Sequence, residues 1–348
     1  MADELDDLHL TMGQDYGFGY EEEKGDPNIK PKAPPAPEVV PGSTTADSML
    51  VRFPPQRQFV ERVVLQVAAI TDSVDANNPF ANFSSSVAEN RIFERKGKEA
   101  QTVSELALTG LAAGTYYALR LVVTNPAGTV IGAASPLVLT RPSPPPAPKV
   151  KPIVTKYDCQ LHLEFPPLGQ NIKRLVVQCV EEWHGVEAFD DHERVIEAVV
   201  ASPQVSTERI VERLRPGTRY IARLNAINDA GSVAGEVSEA VTTHPRAHDL
   251  VENIRKRTSN SVGFLFDDHG QYLTKLTLEY VPEKAKDFKK AKSVNIPNPQ
   301  TATSCVVDNL EPDVTYTFRL VAENPSGTRP GPTKQVRTIG ASLLVCVC

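Results

Sequence analysis

The chain lacks most of what would mark a membrane or secreted protein. No apolar stretch in its 348 residues is long enough to span a bilayer. The N-terminus, Met1-Ala-Asp-Glu-Leu-Asp-Asp7, has neither the basic region nor the apolar core of a secretory leader. Cysteine is scarce and odd in number: five, two of them in the last three residues. A small sandwich built on disulfides shows paired, evenly spread cysteines instead. These absences point to an intracellular chain with reduced thiols. The sequence also has no phosphate loop, dinucleotide fingerprint, zincin motif, Cys-x-x-Cys or nucleophile elbow. The expectation is therefore a chain that is not an enzyme and needs no cofactor. No Arg-Gly-Asp adhesion triplet occurs, and the single sequon, Asn82-Phe-Ser84, carries no argument for export.

An excess of positive charge is missing as well. The formal net charge is −6, which excludes a general nucleic-acid binder, because phosphate recognition needs a basic face. The charge is unevenly placed. Residues 1–26 hold nine acidic residues against Lys24 alone, a sum of −8, so the remainder carries +2. Within this acidic segment Leu5, Leu8, Leu10, Met12, Tyr16, Phe18 and Tyr20 recur as apolar punctuation. An acidic segment so patterned reads as a disordered tail, either simply solvated or able to fold onto a basic, grooved partner.

What the chain does have is globular composition, 41% apolar and 23% charged, together with 29 prolines. It also has an internal repeat. Leu111-Ala-Ala-Gly-Thr-Tyr-Tyr117 recurs as Leu214-Arg-Pro-Gly-Thr-Arg-Tyr220 and as Leu310-Glu-Pro-Asp-Val-Thr-Tyr316. Each Tyr is followed by an Arg (Arg120, Arg223, Arg319), then a Leu (Leu121, Leu224, Leu320), and then Asn-x-x-Gly (Asn125, Asn228, Asn324). The three Tyr are 103 and 96 residues apart. After each Tyr the polarity alternates with period two, as in a half-buried strand. Asn-x-x-Gly then supplies a turn. Upstream lie Leu50-Val-Arg-Phe-Pro-Pro55, Leu161-His-Leu-Glu-Phe-Pro-Pro167 and Val262-Gly-Phe-Leu-Phe266, each an alternating strand ending in an aromatic. A further apolar strand follows in each repeat. Short strands with Pro and Gly punctuation and no long helical pattern argue for three all-β sandwiches.

Aromatic-Pro-Pro, Leu-x-Pro-Gly-Thr-x-Tyr and Arg-x-x-x-x-Asn-x-x-Gly together resemble the fibronectin type III family, over roughly residues 33–340. The resemblance implies immunoglobulin-like sandwiches in tandem. It also implies that Tyr117, Tyr220 and Tyr316 form tyrosine corners, each hydroxyl bonding back to its loop. One departure is that Phe53, Phe165 and Phe266 stand where the family has an early Trp. The implied organisation is a disordered acidic tail at 1–32, domains at 33–142, 143–244 and 245–340, and a C-terminal tail at 341–348. Residues 71–104 lengthen the first repeat as a loop or extra strands. The proline runs 31–37 and 141–148 read as semi-rigid polyproline spacers.

Several residues invite chemistry. Asp190-Asp-His192 and Asp267-Asp-His269 are carboxylate–imidazole clusters. Neighbours on a strand face opposite sides, so solvated turns are expected and no metal site. Trp183-His184 reads as local packing or loop surface. Cys159, in register with Leu161 and Leu163, should be buried, and a Cys159–Cys179 bridge stays open against the intracellular setting. Arg120, Arg223 and Arg319 should face outward and pair with cross-strand carboxylates. Cys346-Val-Cys348 is a candidate lipid-attachment site, which would make the chain membrane-associated. The function expected is a non-enzymatic intracellular scaffold or spacer binding protein partners in cytoskeletal or ciliary assemblies, as modules of this family do. The alternatives are an extracellular adhesion or receptor-type module, or an accessory chain that positions a catalytic partner.

Overall fold

The computed structural model of the chain describes residues 26–340, apart from 57, 72–73, 82, 85–89, 155–158, 268–269 and 286. The apolar positions of the acidic segment (Leu5, Leu8, Leu10, Tyr16, Phe18, Tyr20), the sequon Asn82, the pair Asp268-His269, and Cys346 and Cys348 lie outside the described residues.

The period-two alternation that follows Tyr117, Tyr220 and Tyr316 forms a strand in each repeat. In the first sandwich, strands Glu38–Val39, Met49–Arg52 and Glu105–Leu108 make one sheet. Arg91–Lys96, Arg62–Ile70, Tyr116–Asn125 and Gly128–Ala134 make the other, and Val138–Leu139 also pairs with Tyr116–Asn125. The second sandwich repeats this plan. Lys149–Val154, Cys159–Glu164 and Glu208–Leu214 face a sheet built on Arg174–Glu181 and Arg219–Asn228. In the third, Val251–Asn253, Val262–Leu265 and Ser304–Val307 face a sheet built on Lys275–Pro282 and Thr315–Asn324. The long insertion of the first repeat resolves into strand Arg91–Lys96 and a short helix, Lys98–Thr102. No described helix is long and apolar enough to cross a membrane.

Two compact units result. Among the described residues, one comprises 26–44, Ser48–Leu111 and Tyr116–Val138, and the other comprises Thr45–Asp47, Ala112–Thr115 and 139–340. The second unit contains both the second and third sandwiches.

Each sandwich buries its own core. Tyr117, Leu119, Leu121 and Val123 are wholly buried in the first, and Phe53 lies with them. In the third, Tyr316, Phe318, Leu320 and Ala322 alternate inward toward Phe264 and Phe266. Leu111, Leu214 and Leu310 each enter a core from the turn before the Tyr strand.

Cys159 and Cys179 are both buried, and neither they nor Cys305 is in a disulfide. Burial pushes the Cys179 thiol up to about 12 and, opposed only in part by the Arg215 amide, the Tyr220 phenol also to about 12. Both groups therefore keep their protons in the folded state where the unfolded chain loses them. Their stabilisation is complete below the unfolded thiol value of 9.0 and is lost as pH climbs toward 12. Denaturant midpoints measured across this window should fall for the second sandwich, and Cys179→Val should delay the onset.

The proline runs are not spacers. Pro31, Pro34 and Pro37 are buried while their neighbours are more exposed, and Pro142, Pro145 and Pro148 follow the same pattern. A three-residue period is one face of a polyproline II helix, here laid on its own sandwich. The Glu236 amide donates to the Pro145 carbonyl at 3.0 Å. With no amide hydrogens to give, proline suits the outermost position of a sheet edge.

Candidate functional site

The recurring Tyr residues set the turn from which the site is built. The Tyr220 hydroxyl accepts the Arg215 amide at 3.1 Å, and the Tyr316 hydroxyl accepts the Glu311 amide at 3.1 Å. Tyr117 is fully buried. Tyr220→Phe and Tyr316→Phe each leave a backbone amide without its partner and should cost about 1–2 kcal/mol. Urea titration of each variant measures it.

A threonine absent from the sequence argument completes this turn. Thr243 Oγ1 donates to the Arg215 carbonyl at 2.6 Å and accepts the Thr218 amide at 3.0 Å. Thr140 and Thr338 do the same for their own turns. The turn and the strand leaving the sandwich are thereby locked together.

The next sandwich grips what leaves. Gln271 closes a two-bond ring on Arg246: Oε1 accepts the Arg246 amide at 2.8 Å and Nε2 donates to its carbonyl at 2.9 Å. Asn324 Nδ2 donates to the Thr243 carbonyl at 2.9 Å. Gly217 adopts a left-handed φ of +55, and a Cβ placed on it would lie 2.6 Å from Gln271 Cβ. Its amide donates to the His244 carbonyl at 2.9 Å, and its carbonyl accepts the Tyr272 amide at 2.6 Å. The second and third sandwiches thus meet through a backbone clasp rather than a loose linker. The clasp recurs. Gln58 rings Lys32 and Asn125 holds Ile29 in the first unit. Gln170 holds Ser143 and Asn228 holds Thr140 in the second. The motif's Asn-x-x-Gly is therefore a linker grip as well as a turn.

Beside the Gly217 clasp runs a groove of about 560 Å³, with Trp183, Pro216 and Tyr272 in its wall. Trp183 is 74% exposed, although its indole Nε1 donates to Glu181 at 2.7 Å and its ring lies 3.5 Å from that of His184. The charges around it are already matched. Arg215 pairs with Glu181 at 3.3 Å, and Arg219 pairs with Glu182 at 2.9 Å. What the groove offers a ligand is the faces of two aromatic rings and a proline, held rigidly by short 3-10 turns and the clasp. Such surfaces anchor protein partners.

The other singled-out residues go elsewhere. Arg120, Arg223 and Arg319 do face outward, but only Arg319 has a carboxylate across the strand, Glu279 at 2.7 Å. Arg120 and Arg223 donate instead to the amide oxygens of Gln66 and Gln178, at 2.7 and 2.9 Å, and Arg223 also reaches Asp190. All three lie over a phenylalanine from a loop folded onto the sheet: Phe80, Phe189 and Phe288, at 4.1, 4.4 and 4.0 Å from the ring centres. This cation–π contact, available because the loops fold back, is common to all three arginines whether their cross-strand neighbour is a glutamine or a glutamate. Asp191 pairs with Arg194, and among the described residues no group of His, Cys, Asp and Glu side chains is set to hold a metal.

Comparison with known proteins places these features. Residues 251–339 match the fibronectin type III domain. Human fibronectin type-III domain-containing protein 3A is 25% identical over 277 residues, covering 74% of this chain and 21% of the relative. The Pongo abelii protein of the same name is 26% identical over 271 residues, covering 74% and 22%. The chain thus spans about a fifth of the length of these curated relatives. Among solved structures, the FN1–FN3 domains of chicken CNTN1 align over 89% of this chain and 99% of theirs, with 15% identity and a TM-score of 0.31. A two-domain fibronectin type III segment of chicken tenascin aligns over 56% and 100%, with 16% identity and a TM-score of 0.34.

Proposed function

We propose that this chain, a tandem of three fibronectin type III domains, is a non-enzymatic scaffold that holds protein partners inside the cell. Domains of this type are protein-interaction modules. The observation that carries the proposal is the exposed ring of Trp183 in a groove whose charges are already paired beside a rigid clasp. An exposed large aromatic on a fixed scaffold gains more from a partner's surface than from water. Cys159, Cys179 and Cys305, none of them in a disulfide, fit a reducing compartment, and cytoskeletal or ciliary assemblies are the settings that fit a spacer of this kind. Lipid on Cys346 and Cys348 would add a membrane to these settings. Mass spectrometry of the native C-terminal peptide, together with an internally tagged chain followed by microscopy, tests placement.

The function itself is tested by quantitative affinity purification. Trp183→Ala with Tyr272→Ala should deplete a discrete set of partners relative to the wild type, with folding unchanged by circular dichroism. An identical partner set in both samples refutes the role given to this groove.

A further inference from the structure

The position just before the core leucine of each repeat is left-handed in all three sandwiches. It is Gly110 at φ +71, Arg213 at φ 59 and Asn309 at φ 60. The fold requires that conformation there. Glycine adopts it freely and asparagine tolerates it, whereas an arginine pays for its Cβ. The second sandwich thus carries a strained residue where two cheaper solutions are present in the same chain, and strain of this kind collects at binding sites.

The local strand geometry shows what the strain achieves. Cys159 pairs with Leu214, but Leu161 pairs with Val211, so Glu212 and Arg213 together oppose Gln160. This is a β-bulge, which re-aims a side chain out of the regular alternation. Arg213 lines a second groove at the junction of the second and third sandwiches, of about 640 Å³. Arg246 from the linker and Arg329 from the third sandwich line it too, and Pro216, Pro245 and Pro332 form its walls. No carboxylate lines this groove, and among the described residues neither Arg213 nor Arg246 is in an ion pair. That contrasts with Arg215, Arg219, Arg223 and Arg319 of the same unit, each matched to an acid. A positive field shows nearby: burial and the charge of Arg329 hold the His244 imidazole below its usual range.

We infer that the groove between Arg213, Arg246 and Arg329 binds an acidic peptide segment of a protein partner. The guanidinium forks take its carboxylates, and the proline walls take its apolar side chains. This names a partner chemistry for the scaffold and rests on that reading. Nucleic acid fits less well, since a sugar–phosphate backbone brings no apolar side chains to the proline walls.

Fluorescence anisotropy of the full chain tests the inference. The probe is a fluorescein-labelled peptide of residues 1–26, chosen for its nine carboxylates and interspersed apolar residues. The control is the same peptide with every Asp and Glu changed to the amide. The acidic probe should bind at low salt and weaken as salt rises. Arg213→Asn with Arg246→Gln should weaken it about tenfold or more. Arg213→Asn alone should leave the melting temperature unchanged or raise it, because asparagine suits the left-handed position; a merely structural arginine would lower it. No binding, equal binding of the amide peptide, unchanged binding by the double variant, or equal competition by a single-stranded RNA of matched charge would each overturn the inference. Partner capture through Trp183 is read separately, so its loss alongside intact peptide binding, or the reverse, distinguishes failure of the scaffold reading from failure of this one.

Discussion

Gly217→Ala should uncouple the second and third sandwiches and cost the second unit on the order of 3 kcal/mol. Two separate penalties combine. The residue sits at φ +55, where an alanine is strained by about 1 kcal/mol or somewhat more. The added Cβ would also lie 2.6 Å from Gln271 Cβ, which is held in place by its two bonds to Arg246. Relief comes only by opening the clasp, which releases the Gly217–Tyr272 backbone bond. Gly169 is the internal control. Its φ is +60 and nothing lies within 4 Å of the position of its Cβ, so Gly169→Ala pays strain without overlap. Calorimetry should show the transition of the second unit broadened or split for Gly217→Ala alone. The same modest shift in both variants would show that the close approach carries no coupling.

Phe264→Ala should remove a large share of the stability of the third sandwich. Phe264 is fully buried, with its ring centre 4.7 Å from that of Phe318, and Tyr316 and Tyr280 pack beside Phe318. Emptying such a site costs about 3–5 kcal/mol through lost transfer energy and the cavity left behind. A single domain is stable by only about 5–15 kcal/mol. Urea unfolding followed by a probe in the third sandwich should show a much lower midpoint with an unchanged slope. A loss below about 1 kcal/mol would mean that this aromatic cluster is not the core's centre.

Much of the architecture was readable because it is periodic. The alternation after Tyr117, Tyr220 and Tyr316 placed the core faces of three strands, and the leucine six residues before each placed the plug of each core. The clasp was harder to read, because its bonds join residues far apart in the chain: Gln271 to Arg246, Asn324 to Thr243. No local pattern encodes such pairings. Its signal nevertheless lies in the repeat, since Gln58, Gln170 and Gln271 each stand five residues after Phe53, Phe165 and Phe266. Thr140 and Thr243 likewise each stand 23 after their tyrosines. The loop phenylalanines under the three arginines fall at no fixed spacing, so the cation–π contacts left no trace in the sequence. The proline runs were legible as polyproline II but not as packed. Composition gives their conformation, and only the three-residue burial pattern gives their place. Arg213 stood in plain view between Glu212 and Leu214, and only the backbone angle it shares with Gly110 and Asn309 marks it as unusual.

The most direct test of the scaffold account is site-specific photo-crosslinking in cells. A photoreactive amino acid replaces Trp183 in the full chain, or, as a control, Val205, which is on the same sandwich and 71% exposed. The account predicts discrete protein adducts from position 183 that are missing from position 205. The same adducts from both positions, or none from 183, would contradict it.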